Sequence, residues 1–231
     1  MISFVIPAHN EERLLGATIQ AIHRACATLV EAYEVVVVDD DSSDQTSVVA
    51  MEEGATVVSV GHRQIAATRH AGTGAARGNI LIFVDADTLV HAAVVHQALD
   101  ALRNGAVGGA AIGLFDGELP LFANAMVTLW ARLARMATLT TGCFLFCTRT
   151  AYEAAGGFDR TLFAFEDVAL GRALRRVGRI VILRETVATS GRNLRAHSLA
   201  DVGRMLLALG RNGRSFFRSR DGLSYWYADR Q

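Results

Sequence analysis

Ile80-Leu81-Ile82-Phe83-Val84-Asp85-Ala86-Asp87-Thr88 is an apolar run that closes on two carboxylates one residue apart. An unbroken apolar strand suits a parallel sheet covered on both faces. In an open α/β sheet, ligands bind beyond the carboxyl ends of the strands. Two close carboxylates repel unless a positive charge joins them. Their usual partner is a hard divalent cation, often shared with phosphate oxygens. The stretch therefore points to Mg²⁺- or Mn²⁺-assisted chemistry on a phosphorylated or nucleotide-linked substrate. The competing account is a surface turn with two solvated acids.

The residues before this stretch repeat one pattern. Ile2–Ile6 is an apolar strand ending at Pro7, and Val35–Val38 is four valines in a row. Between them, Leu15, Ile19, Ile22, Cys26 and Leu29 recur in steps of four, three, four and three, one buried helical face. A short helix from about Asp44 to Glu53, a strand at Thr56–Val60 and a helix over roughly Gln64–Ala76 lead to the strand at Asn79–Val84. This alternation predicts right-handed crossovers and a doubly wound, mostly parallel mixed sheet with helices on both faces. The second half is less regular. Strands are expected at Ala106–Leu114, Cys143–Cys147 and Ile180–Leu183, and helices at Leu119–Met136, Glu166–Val177 and Asp201–Leu209. There is no repeat, low-complexity segment or linker. One domain is expected over 1–231, with a nucleotide-binding half to about 104, an acceptor-side half to about 210, and a basic-aromatic tail over 211–231.

The 231 residues suffice for one substantial core. Twenty-three acids balance twenty-three bases, so no electrostatic footprint for nucleic acid exists. Every base is arginine; there is no lysine. Mean hydropathy is +0.26, yet no stretch offers the roughly 20 consecutive apolar residues of a spanning helix. The chain enters a strand at once, without a charged leader, and a cytoplasmic location is expected. Cys26, Cys143 and Cys147 form no CxxC pair and read as core thiols in a reducing compartment.

Acidic clusters recur at strand and loop ends: His9-Asn10-Glu11-Glu12, Asp39-Asp40-Asp41-Ser42-Ser43-Asp44, Asp85-Ala86-Asp87 and Phe165-Glu166-Asp167. Each has a local explanation. Asn10 suits an N-cap, Ser43 or Asp44 suits another, and acids in a first helical turn complement the helix dipole. Three such clusters following strands one, two and four of one sheet nevertheless converge on a single edge.

In that order the motifs resemble the inverting glycosyltransferases of family 2, which have the GT-A fold. Val5-Ile6-Pro7-Ala8-His9-Asn10-Glu11-Glu12 is similar to the family's opening strand and loop. Val36 to Thr46 is similar to its second motif, with Asp41 where Asp-Asp-Gly-Ser has glycine, which asks a non-glycine residue to hold an unusual backbone conformation. Thr68-Arg69-His70-Ala71-Gly72 resembles the helix before the metal motif, and Asp85-Ala86-Asp87 its DxD. Gly156-Gly157-Phe158-Asp159 and Phe165-Glu166-Asp167 resemble the acceptor-side segment. The likeness covers about residues 2–177. Beyond it, Ser190-Gly191-Arg192 and Tyr225-Trp226-Tyr227 resemble features of a small soluble subgroup.

The resemblance implies roles. Pro7, Ala8 and Glu11 would line the nucleotide pocket. Asp39 would accept a hydrogen bond from the base, with Asp40 beside it, and Arg69 would lie near the nucleotide or its phosphates. Asp85 would face the ribose and metal, with Ala86 in the same pocket. Asp87 would hold Mn²⁺ or Mg²⁺ on the diphosphate, and Asp167 would be the general base. His197 is a candidate to complete the metal site; His9, His62, His70, His91 and His96 have weaker claims. The donor would be a nucleotide sugar, with UDP favoured by the family's habits. The acceptor stays open among a saccharide, a lipid-linked sugar and a small molecule.

Other classes also use these features. A phosphatase of the haloacid dehalogenase type has an apolar strand before Asp-x-Asp-x-Thr, with Asp85 as nucleophile and Asp87 as acid/base. That motif should open the fold, whereas eighty-four residues precede it here, and the usual lysine is missing. A sugar-nucleotidyltransferase would show a Gly-rich loop after strand one, but the loop is acidic. A non-catalytic nucleotide-binding module would have no need of Asp167. The tail, with Arg211, Arg214, Phe216, Phe217, Arg218, Arg220 and Tyr225–Tyr227, suits packing over the acceptor side or a homodimer contact. Peripheral contact with a membrane surface is the alternative.

Overall fold

The computed structural model describes residues 1–117, 128–129, 131–136, 138–192 and 217–218. Among them, one sheet takes eight strands from both halves of the chain, in the order β3-β2-β1-β4-β7-β6-β8-β5. The strands are β1 (Ile2–Ala8), β2 (Tyr33–Asp40), β3 (Thr56–Val60), β4 (Ile80–Val84), β5 (Thr88–Leu89), β6 (Gly108–Phe115), β7 (Phe144–Thr148) and β8 (Ile180–Thr189). The helices are α1 (Leu15–Cys26), α2 (Thr46–Glu52), α3 (Ile65–Ala75), α4 (Ala92–Arg103), α5 (Arg149–Ala154) and α6 (Glu166–Val177). β1 pairs in parallel with both β2 and β4, and β2 with β3. β7 runs antiparallel to β4 and β6, and β5 antiparallel to β8. The expected mostly parallel mixed sheet is present.

Alternation along each strand divides the core into two layers. Ile2, Phe4 and Ile6 of β1 join Leu15, Ile19, Ile22 and Cys26 of α1, with Val94, Val95, Ala98 and Leu99 of α4, on one face. Val5, Val36, Val38, Leu81 and Phe83 join Ala66 of α3 and Leu170 and Leu174 of α6 on the other. Each fully buried aliphatic side chain contributes about 1.5–3 kcal/mol. α3 lies unusually close to the sheet. A Cβ at Gly72 would stand 2.4 Å from Val5 Cγ1 and 2.7 Å from Val38 Cγ2, so only glycine permits the approach. That approach carries Arg69, one turn earlier, into the sheet's functional edge.

Several local expectations need correction. Asn10 does not cap α1, which begins five residues later at Leu15. It adopts a left-handed conformation (φ 52) and its Oδ1 accepts the Ser43 N–H at 2.8 Å, tying the first loop to the second. Asp44 is the residue that feeds α2: Oδ1 accepts the Thr46 N–H and Oδ2 the Glu12 N–H. α4, α5 and the two-residue β5 have no counterpart in the sequence reading, and β8 runs six residues beyond Leu183. Of the helix expected over Leu119–Met136, 128–129 and 131–136 are helical and the remainder lies outside the described residues. The helix expected at Asp201–Leu209 also lies outside them.

Asp41 holds the left-handed conformation its position requires, at φ 61. A non-glycine residue there costs of order 1 kcal/mol. Among the described residues its ion-pair contact is with Arg63 at 3.9 Å, from a side chain that is itself 69% exposed, and such pairs contribute little. Asp41→Gly is therefore expected to raise the melting temperature by about 2–4 °C. A thermal melt showing a decrease would mean that the carboxylate has a binding role outweighing the strain.

Candidate active site

The carboxyl ends of β1, β2 and β4 lie side by side, because β1 pairs with both of its neighbours. Pro7 and Ala8 close β1, Asp39 and Asp40 close β2, and Asp85 to Asp87 follow β4. Thr18 of α1 donates to the Ala86 carbonyl at 2.8 Å, and the Thr88 N–H returns to the Asp85 carbonyl at 3.1 Å. The DxD turn is thus held from below. From the side, the Ser190 N–H reaches the Asp87 carbonyl, and Thr189 Oγ1 donates to Asp87 Oδ1 at 3.3 Å.

The two acids of β2 have different tasks. Asp39 accepts the Ser42 N–H at 3.2 Å and the Ser47 hydroxyl, which leaves acceptor capacity for a ligand N–H. Asp40 accepts four donors: the N–H groups of His62 (2.6 Å), Arg63 (2.8 Å) and Gln64 (3.2 Å), and Thr68 Oγ1 (2.6 Å). Its lone pairs are taken. Asp40 therefore fastens the entrance of α3, beside Asp39 at the end of β2. Gln64 extends the brace, donating through Nε2 to the carbonyls of Arg160 (2.7 Å) and Leu162 (3.0 Å) in the loop before α6.

Arg69 is 1% exposed. Nη2 donates to Asp85 Oδ1 and Nη1 to Glu166 Oε1, each at 2.6 Å. A third bond reaches the Gly142 carbonyl at 3.1 Å. The guanidinium thus couples the DxD turn to the start of α6, where the left-handed Phe165 (φ 60) turns the chain into the helix. The bond to Asp85 sets this side chain against the DxD turn, where the resemblance places the nucleotide or its phosphates. Asp167 belongs to the same cluster: a Cβ at Gly142 would lie 3.0 Å from Arg69 Nη2 and 3.4 Å from Asp167 Oδ2. Burial pushes the Glu166 and Asp167 carboxyls above the ordinary range, and the Arg69 charge pulls them back.

On the other side of the DxD turn, Glu11 accepts Arg192 Nη2 through both carboxylate oxygens, and the same nitrogen lies 3.5 Å from Asp87 Oδ2. Arg192 thus touches two of the candidate acids, and the sequence reading placed it only as part of a subgroup feature. Among twenty-three arginines, no spacing marks it out. His197 lies outside the described residues. His9 Nδ1 sits 2.8 Å from the Asp40 carbonyl, a second-loop contact. Burial pushes the Cys26, Cys143 and Cys147 thiols up to about 12, as inert core thiols require.

The donor set suits a hard divalent cation that binds together with a nucleotide. Among the described residues no group of three or more His, Cys, Asp or Glu gathers to form a closed cage. Asp85 and Asp87 supply carboxylate oxygens, and Mg²⁺ in particular takes one or two carboxylates plus substrate phosphates and water.

Solved structures share this architecture. The mannosyltransferase PcManGT from Pyrobaculum calidifontis, in complex with GDP-Man and Mn²⁺, superposes with a TM-score of 0.68 at 18% identity, over 98% of this chain and 68% of that one. Glucosyl-3-phosphoglycerate synthase from Mycobacterium tuberculosis, in complex with Mn²⁺, UDP and glucosyl-3-phosphoglycerate, superposes at 0.61 and 22% identity, over 94% and 80%. The fold is the GT-A fold of glycosyltransferases. Residues 3–152 match the model of Glycosyl transferase family 2, and the chain belongs to that family. Similar relatives include the undecaprenyl-phosphate 4-deoxy-4-formamido-L-arabinose transferases of Pseudomonas paraeruginosa, 37% identical over 95 residues, and Serratia proteamaculans, 34% identical over 94. Those alignments cover 38% and 37% of this chain and 28% of each relative.

Proposed function

We propose that the chain transfers a sugar from a nucleoside-diphosphate sugar, with UDP the favoured carrier, to a hydroxyl acceptor by a single inverting displacement. The observation that carries this reading is the Arg69 bridge, which sets buried Glu166 and half-buried Asp167 beside the DxD turn. Asp39 is suited to accept a hydrogen bond from the base, with Pro7, Ala8 and Ala86 forming the floor beneath it. Asp85 and Asp87 would hold Mn²⁺ or Mg²⁺, which when bound supplies Lewis-acid stabilisation of the leaving diphosphate. Asp167 takes the acceptor proton as the oxygen attacks. Burial keeps its carboxyl above the ordinary range, which makes it a better base once ionised. Positioning and electrostatics supply the rest of the acceleration.

A polyprenyl phosphate is the second acceptor class, suggested by the names of the relatives. A phosphate oxygen is already ionised near neutral pH and attacks without a base, so the acid pair favours a hydroxyl. No described helix is long and apolar enough to cross a membrane. The tail's expected membrane or homodimer contact lies outside the described residues except at 217–218, where the Phe217 ring packs on Phe165 at 5.0 Å.

Thermal stabilisation by UDP, GDP, CMP and dTDP, each with Mn²⁺ or with EDTA, tests the donor reading. A ligand specific to the native state at a hundredfold excess over its dissociation constant adds about 2.7 kcal/mol. A metal-dependent shift with one diphosphate is expected. Folded protein that shifts with none of them would overturn the reading.

A further inference from the structure

The carboxylates expected to serve the donor are already joined to a cation of the protein itself. Arg192 follows the end of β8, and its Nη2 contacts both oxygens of Glu11 while standing 3.5 Å from Asp87 Oδ2. Glu11 comes from the loop after β1 and Asp87 from the turn after β4, so one guanidinium spans the crevice. The Glu11 side chain is 1% exposed, that of Asp87 12% and that of Arg192 30%. Arg192 Nε is buried and has no hydrogen-bond partner. Leaving a buried N–H unmade is costly. Nε and Nη2 form the edge of the guanidinium that takes two oxygens of a carboxylate or phosphate side by side. Here Nη2 meets both acids while Nε waits.

A divalent cation bound at Asp87 would stand within a few ångströms of Arg192. Two such positive charges repel strongly in a partly buried site unless an anion joins them. The guanidinium and the metal therefore compete for Asp87 while no further anion is present. A diphosphate changes this balance, because its oxygens can serve both cations at once.

Building on the donor reading above, we propose that Arg192 makes divalent-metal binding and nucleoside-diphosphate binding depend on each other. Without nucleotide, Arg192 neutralises Asp87 and Glu11 and opposes the metal. With nucleotide, it turns its Nε–Nη2 edge to the diphosphate and leaves Asp87 to the metal. Arg192 is thus a diphosphate ligand that also determines the order of assembly.

Mn²⁺ binding followed by the loss of its free-ion EPR signal, with and without UDP or whichever diphosphate the thermal screen selects, tests the exchange. The wild-type chain is expected to bind Mn²⁺ weakly alone and at least about tenfold more tightly with nucleotide, and by linkage the nucleotide gains by the same factor. Arg192→Gln should act in opposite directions: about tenfold tighter Mn²⁺ alone, and loss of most of the coupling. Arg192→Lys keeps the charge without the fork, so Mn²⁺ alone should stay weak while the coupling falls. Because Arg192→Gln takes a cation from buried Glu11, Glu11→Gln/Arg192→Gln serves as the variant that keeps the net charge of the site. Mn²⁺ affinity and coupling unchanged from wild type in both glutamine variants would overturn the proposal and make Arg192 a brace. A wild-type chain that binds neither Mn²⁺ nor any diphosphate would instead defeat the donor reading itself.

Discussion

Asp167→Asn is expected to reduce sugar transfer by about 10²–10⁴-fold, the range for losing a general base, while metal-dependent nucleotide affinity stays near wild type. The amide keeps the size of the side chain but cannot accept the acceptor's proton. The residue lies on the α6 side of the Arg69 bridge, away from the β1 and β2 loops expected to hold the base. The loss should therefore fall on kcat and leave donor binding intact. Asp87→Ala should do the reverse and abolish the metal-dependent part of binding. The pH profile gives a second test. Transfer requires ionised Asp167, so the rate is lost as pH falls through its pKa. That pKa is raised by burial, so the acidic limb lies above the ordinary aspartate range near 3.9. Asp167→Asn that retains most of the transfer rate would remove the base from this residue and leave Glu166 as the remaining candidate. It would equally suit an acceptor already ionised, such as a phosphate.

Arg69→Met is expected to destabilise the fold by about 3–5 kcal/mol near pH 8, the cost of removing one partner of a buried ion pair. Glu166 is 5% exposed and, without the guanidinium, must either hold a charge with no cation beside it or take up a proton that the unfolded chain does not bind. The effect should depend on pH in a definite sense. Burial raises the Glu166 pKa above its unfolded value of 4.5, and removing the guanidinium raises it further. A raised acid contributes its full stability below the unfolded pKa and loses it as pH rises through the folded one. Wild type and variant should therefore lose stability alike from pH 4.5 to about 7, and the variant should fall behind above about 7, where only the wild-type Glu166 ionises. Urea denaturation across this range measures it. Arg69→Met/Glu166→Gln should recover part of the loss, because the most buried acid is then no longer stranded while Asp85, whose side chain is 32% exposed, can turn to water. A single variant that costs less than about 1 kcal/mol at pH 8 would show that Glu166 has another strong partner.

What the residue pattern disclosed is uneven, and the reasons are physical. β1 to β4 and α1 to α3 were legible because fully apolar runs and a 3.6-residue period mark elements buried on a sheet. Asp41 was legible too, since a tight turn imposes its conformation whatever the residue. α4 carries a clear apolar face (Val94, Val95, Ala98, Leu99), but it starts at His91 without a side-chain cap or an acid in its first turn to mark it. β5 has two residues and exists only through its pairing with β8, so nothing local predicts it. Motif position brought Asp39, Asp85, Asp87 and Asp167 into view as candidates. It could not separate Asp40 from Asp39, because that difference depends on donors 22 to 28 residues away. Nor could it show that Arg69 faces Glu166, 97 residues later.

The clamp on the DxD turn also has a consequence in time. Thr189 and Ser190 hold Asp87 from 102 residues further along the chain, through the β5–β8 pairing and the Thr189 hydroxyl. A ribosome adds about 5–20 residues per second, so a newly made β4 waits roughly 5–20 s before its clamp is synthesised. Until then the apolar core of β1 to β4 can form, with Asp85 already met by Arg69, while Asp87 lacks its hold from Thr189 and Ser190. The nascent protein would acquire a folded body well before it acquires a grip on its donor.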